Sequence, residues 1–367
     1  MFWIHGGGLV NGSIFQMPPY NGIDLAAYDV VVVSTNYRLG PFGFLYGDRE
    51  DAPGNVGFYD QLLAIKWVRE NIHQFGGDRD RITIFGESAG SVSVSSQILS
   101  PLSKGLYKRA IMESGAHLYN KDRDSLNKTE ALSEAKQMAK QLNCSETEDW
   151  LQCLRKVDAK DILKLEKSVS TPVFETEFLP VYTHKALDDR LLNYDIDLMS
   201  GLTRNEGPLL VDLVLKQINL QTVDDFKKYV KVGDELYHGL DVQKVSDFYL
   251  NGVNTSSPAA IRRAYTDFFG DLMMNCPTYL FAKHLAQIVK NKHNVYFYEW
   301  TYQSQYFSKL MGCDEATMGI CHGADLPYIF GMPFQIPKQA HLFTELDEKF
   351  AADIMTLWSN FAKTGYK

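Results

Sequence analysis

The chain has 367 residues, 45% of them hydrophobic and 22% charged, which fits a globular protein with a sizeable core and excludes disorder, collagen and small disulfide scaffolds. Lys plus Arg is 37 against 45 Asp plus Glu, a net charge of −8 without a dense basic run, which argues against nucleic acid as a partner. No stretch approaches the roughly 20 apolar residues of a membrane span, and Met1-Phe2-Trp3-Ile4 lacks the basic start of a signal peptide.

Phe2-Trp3-Ile4 reads as a buried strand running straight into the glycine turn His5-Gly6-Gly7-Gly8. Val30–Ser34 is a continuous β-branched run, the pattern of a strand covered on both faces. Gly57–Asn71 carries Leu62, Leu63, Ile65, Trp67 and Val68 at helical spacing and stops at Gly76-Gly77-Asp78. A strand over Arg81–Phe85, a glycine turn, a helix over Ser91–Leu99 and a strand over Arg109–Ser114 follow. Strand and helix in alternation imply α/β architecture, a mainly parallel sheet flanked by helices.

From about residue 125 the chain becomes polar and helix-prone, most clearly over Lys128–Gln141, and strands return at Ile196–Leu202 and Asn294–Trp300. Length alone allows two domains at about 150 residues each. Without a linker, repeat or low-complexity segment, the helical stretches read instead as a cap on one sheet. The final segment from Trp358 reads as an amphipathic helix ending at Gly365.

Gly86-Glu87-Ser88-Ala89-Gly90 fits the G-x-S-x-G nucleophile elbow, with a strand before it and a helical pattern after it. Such a turn strains the serine backbone and pushes its hydroxyl out of the sheet, and the flanking glycines let strand and helix backbones approach. The helix start directs N–H groups at the site, which favours developing negative charge. His5-Gly6-Gly7-Gly8 fits a glycine loop whose Gly7 and Gly8 amides, with that of Ala89, form an oxyanion hole. No P-loop or G-x-G-x-x-G spacing supports a phosphate site, and His5 reads as structural rather than as the base.

With Trp3–Gly8, Asn36–Leu45, Ala52–Gly57, Phe75–Asp78, Phe85–Gly90 and Asn360–Gly365, the chain resembles the type-B carboxylesterases of the cholinesterase and carboxylesterase family nearly end to end. The resemblance implies the α/β-hydrolase fold as a single domain over 1–367, with mainly helical insertions at about 125–190 and 208–290. It further implies an internal fragment lacking both ends. A fragment without its first strands would expose sheet edge, so poor solubility is the expectation.

The hydrolase order is nucleophile, acid, histidine. Glu206 lies in the loop just past the strand Ile196–Leu202 and matches the family's acid; Asp195 and Asp197 are the alternatives. His322, in Cys321-His322-Gly323, matches the family's histidine, ahead of His238, His284, His293 and His341. The expected catalytic set is therefore Ser88, Glu206 and His322, acting without metal or organic cofactor. Arg38 and Asp60 match a structural ion pair of the family, and Glu87 and Ser114 read as groups supporting the site.

Five cysteines leave one over. The resemblance implies a Cys144–Cys153 disulfide and a partner for Cys276 beyond Lys367. Spacing suggests a Cys313–Cys321 pair that would rigidify the histidine loop. Disulfides point to an oxidising compartment, so the expectation is a secreted or extracellular protein. Asn127 and Asn254 head glycosylation sequons; Asn143, beside a disulfide, and Asn11, near the glycine loop, are poorer acceptors.

The expected partner is a small-molecule ester. Leu9, Pro208-Leu209-Leu210 and the partly aromatic Phe174–Phe178 stand where acetylcholinesterases of the family are more aromatic, which favours a broader carboxylesterase over a cholinesterase. A cholinesterase-like adhesion protein or a lipase are the other readings, the former disfavoured because Ser88, Glu206, His322 and the glycine loop are all present.

Overall fold

The computed structural model describes residues 1–16, 20–118, 126–144, 149–165, 169–215, 218–237, 239–336 and 341–366. His238 and Ser145, the third residue of the Asn143 sequon, lie outside the described residues. The strands are β1 (Phe2–Ile4), β2 (Val33–Thr35), β3 (Tyr46–Arg49), β4 (Ala52–Pro53), β5 (Thr83–Glu87), β6 (Arg109–Glu113), β7 (Asp197–Thr203) and β8 (Val295–Trp300). Six of them form one sheet in the order β2-β1-β5-β6-β7-β8, every pair parallel, while β3 and β4 form a small antiparallel hairpin.

The strand side chains alternate between two apolar layers, as the twofold period requires. Phe2, Ile4, Ile84, Ala110, Met112 and Leu198 pack in one layer with Phe58, Ile65, Ile98 and Phe281. These partners come from the helices Val56–Asn71, Ala89–Leu99 and Cys276–Val289. Trp3, Phe85, Ile111 and Met199 face the other layer, against Ile354, Trp358 and Phe361 of the helix Glu345–Thr364. That helix is much longer than its final segment suggested. A Thr344/Asp347 capping box starts it, and Gly365 in the left-handed region (φ 78°) ends it.

Two strands shift from their expected bounds. Pairing of β2 covers only Val33–Thr35, opposite Phe2–Ile4, and the valine run lies half-buried at the sheet edge rather than covered on both faces. The strand expected at Arg81–Phe85 begins two residues later, because Arg81 closes a turn on Asp78 O, and it continues through Glu87 opposite Glu113.

A third apolar cluster, with Leu210, Val211, Phe226, Val230, Ile261, Tyr265 and Phe268, joins the helices Gly207–Leu215, Val223–Tyr237 and Pro258–Gly270. Disulfides link Cys144 to Cys153 and Cys313 to Cys321, while Cys276 is free and exposed. Among the described residues no helix is long and apolar enough to cross a membrane.

Candidate active site

The glycine loop follows β1, Ser88 follows β5, Ser114 follows β6 and Glu206 follows β7. In a parallel sheet these positions share one edge, where the carboxyl ends of the strands open a crevice. Asp195 and Asp197 lie at the other end of β7. Asp195 pairs with Lys108 and His293, and Asp197 with Arg109 and His293. That removes both carboxylates, and His293, from the crevice.

Ser88 has φ 58° and ψ −125°, a strained conformation for a residue with a Cβ. The turn is held from outside: Ser88 N–H donates to Glu113 O at 2.9 Å, and Ser114 N–H to Gly201 O at 2.9 Å. The flanking glycines are required by space. A Cβ at Gly90 would lie 2.0 Å from Ile4 O, and one at Gly86 would lie 2.7 Å from the Gly90 carbonyl carbon. The helix Ala89–Leu99 therefore starts two residues earlier than Ser91, directly against the strand. Ala89 is its first residue, so its N–H has no carbonyl one turn back.

The glycine loop lies against this elbow: a Cβ on Gly6 would come within 3.0 Å of Ser88 Cβ. Gly7 adopts φ 108°, open in practice only to glycine, and its carbonyl is tied to Val10 N–H (3.2 Å) and Asn11 N–H (3.0 Å). His5 is buried, bonds Gly6 O through Nδ1 and stacks on Tyr37. It braces the loop.

Glu206 is buried and fully engaged. Its Oε1 accepts Ser114 Oγ–H at 2.6 Å and Thr203 N–H at 2.7 Å; its Oε2 lies 2.6 Å from His322 Nδ1. The opposite imidazole nitrogen, Nε2, lies 3.1 Å from Glu87 Oε1. Burial alone would lower His322, but the Glu87 and Glu206 carboxylates outweigh it and raise the imidazole to about 9. Burial pushes the Glu87 carboxyl up to about 8, with His322 opposing. Glu113, whose Oε1 accepts Trp358 Nε1–H at 2.7 Å, is raised by burial and by Asp325.

His322 is positioned by ties between distant loops. Asn205 N–H donates to Ile320 O, and Asn205 Oδ1 accepts Ile320 N–H, both at 3.0 Å. Gln303 accepts Cys321 N–H at 2.9 Å and donates to Cys313 O at 3.1 Å, alongside the Cys313–Cys321 disulfide. Glu206, His322 and Glu87 thus form one contact chain beside Ser88. Among the described residues Ser88 Oγ takes no hydrogen bond.

Thr203, Asn205 and Gln303 were not singled out by the sequence, and neither were Glu113 and Asp325. Glu113 and Ser114 carried a signal, since polar residues at the carboxyl end of an apolar strand need a reason to be buried. Arg38 forks onto Asp60 with bonds of 2.7 and 2.8 Å. Phe174 and Phe178 are fully buried, the first against His117 and Tyr182, the second against Phe58 and Tyr59.

The profile of the Carboxylesterase family matches residues 1–367. A cholinesterase of Mus musculus is 34% identical over 384 residues, with 100% of this chain and 61% of the relative covered. Acetylcholinesterase-1 of Trittame loki is 33% identical over 396 residues, covering 99% of this chain and 67% of the relative. Carboxylesterase 3 of Homo sapiens is 31% identical over 380 residues, covering 100% and 64%. The chain spans about 61–67% of the length of these relatives.

Proposed function

The chain belongs to the carboxylesterase family, and from that premise we propose that it hydrolyses carboxylic esters through Ser88, His322 and Glu206. The observation that carries this reading is the buried Glu206–His322 contact of 2.6 Å beside the strained serine. His322 Nε2 accepts the Ser88 hydroxyl proton as Oγ attacks the ester carbonyl, then returns it to the leaving alcohol. Glu206 keeps the proton on Nδ1 and stabilises the imidazolium. The Gly7, Gly8 and Ala89 amides stabilise the tetrahedral oxyanion. Water, activated by the same histidine, then releases the acid. The steps call on no metal or organic cofactor.

Leu9, Leu209 and Leu210 supply no aromatic face for a quaternary ammonium at their positions, so neutral esters are the preferred class. The two disulfides support passage through an oxidising compartment. Asn254 is exposed, whereas Asn127 caps a helix through its carboxamide, so Asn254 is the better glycan acceptor. The test is hydrolysis by the full chain of 4-nitrophenyl acetate and of acetylthiocholine, beside Ser88→Ala. Turnover of the aryl ester that vanishes in the variant supports the proposal. Equal turnover in the variant refutes it, and preference for acetylthiocholine refutes the substrate class.

A further inference from the structure

Glu113 places a carboxyl group where the sheet calls for an apolar side chain. It follows Ile111 on the same side of β6, so it enters the layer of Trp3, Phe85 and Met199, and it is fully buried there. Its Oε1 accepts Trp358 Nε1–H at 2.7 Å, from the helix Glu345–Thr364. Either group left alone in this layer would cost the desolvation of a polar atom, so the bond ties sheet and helix at a defined point. The ester mechanism above uses neither side chain.

The backbone of Glu113 is also the brace of the elbow. Its O takes Ser88 N–H at 2.9 Å, and the next residue, Ser114, gives its N–H to Gly201 O and its Oγ–H to Glu206. Trp358 lies edge-on to Tyr298 with ring centroids 5.3 Å apart, and the Tyr298 ring rests on Gly201, where a Cβ would meet it at 2.3 Å. One indole therefore reaches, directly or through Tyr298, the strand ends that brace Ser88 and Glu206. The helix is moored separately at the other end of the sheet. There Ala362 O takes Thr83 Oγ1–H at 3.2 Å and Arg109 Nη1–H at 3.0 Å, so loss of the indole N–H leaves it attached.

We propose that Glu113 and Trp358 are positioning residues: their indole–carboxyl bond holds the carboxyl end of β6, and with it the Ser88 turn, in register for the reaction. The inference rests on the Ser88–His322–Glu206 reading above. The bond works with Glu113 as a neutral acid. Its Oε2 has no hydrogen-bonding partner among the described residues, and burial, Asp325 and Glu87 raise the carboxyl well above its ordinary range. The phenols of Tyr20 and Tyr298 face the same group. A neutral carboxyl accepts the indole N–H through its carbonyl oxygen, as an amide does.

The test compares Trp358→Phe, Glu113→Leu and Glu113→Gln in the full chain. It reads hydrogen exchange of the elbow peptide by mass spectrometry, and the rate of fluorophosphonate labelling. Trp358→Phe keeps a ring and removes the donor; Glu113→Leu removes the acceptor. In each, elbow exchange is expected to rise and labelling to slow by about 2- to 10-fold, with exchange over Val223–Tyr237 unchanged. Glu113→Gln should recover most of the loss seen in Glu113→Leu. The double variant Trp358→Phe, Glu113→Leu should lose no more than either single one, since both break the same bond. Wild-type elbow exchange in whichever single variant folds overturns the proposal, as does a rise spread equally over Val223–Tyr237. Additive losses, or a Glu113→Gln that fails to fold or labels as slowly as Glu113→Leu, overturn it too. Wild-type protein that never labels, with elbow exchange still raised in the variants, defeats the esterase reading and leaves the hold on the elbow standing.

Discussion

Ser88 and His322, joined in the proposed mechanism, are placed by opposite means. Ser88 is set by its own neighbourhood: a positive-φ turn, two glycines that let β5 and the following helix touch, and hydrogen bonds to β6. His322 sits in a loop with no strand immediately behind it, held by Glu206, Glu87, Gln303, Asn205 and the Cys313–Cys321 disulfide. Ser88 is positioned by local backbone strain and His322 by long-range ties. Loss of Ser88 should therefore abolish the chemistry, whereas loosening the ties around His322 should grade it.

The largest effect breaks the nucleophile itself. Ser88→Ala is expected to lower kcat by about 10⁶ in ester hydrolysis while thermal unfolding stays cooperative, since only the Oγ is lost. Glu206→Gln comes next, at about 10⁴ in kcat, because the imidazole loses the group that fixes its tautomer. Gly7→Ala should cost about 10²–10³ in kcat and also stability, because its Cβ would lie 2.2 Å from Asn11 O. The smallest effect sharpens the comparison: the double variant Cys313→Ser, Cys321→Ser should lose about 2–4 kcal/mol in urea unfolding. Its fluorophosphonate labelling should slow about tenfold, the equivalent of ~1.4 kcal/mol in barrier. Labelling at the wild-type rate would show that the histidine loop does not depend on its disulfide.

The same contrast explains what the sequence revealed. The elbow, the glycine loop and the strands were legible because their determinants are contiguous: β-branched runs, glycines at fixed offsets, and alternation that separates Trp3 from Phe2 and Ile4. Strand ends were less legible, since β2 stops where β1 stops pairing and β5 starts after the Asp78 turn. The environment of His322 was legible only in part. Residue spacing and resemblance pointed to Glu206 and to the Cys313–Cys321 pair, but no local pattern encodes that Gln303 bridges Cys313 and Cys321. Nor does one encode that Glu87 faces the ring, because such contacts are made only when loops from separate strands converge.

The most direct measurement of the central claim is peptide mapping of the fluorophosphonate adduct by mass spectrometry on the full chain. The account predicts one modified residue, Ser88, with labelling nearly abolished in His322→Asn. An adduct on another serine, or undiminished labelling of Ser88 without His322, would contradict it.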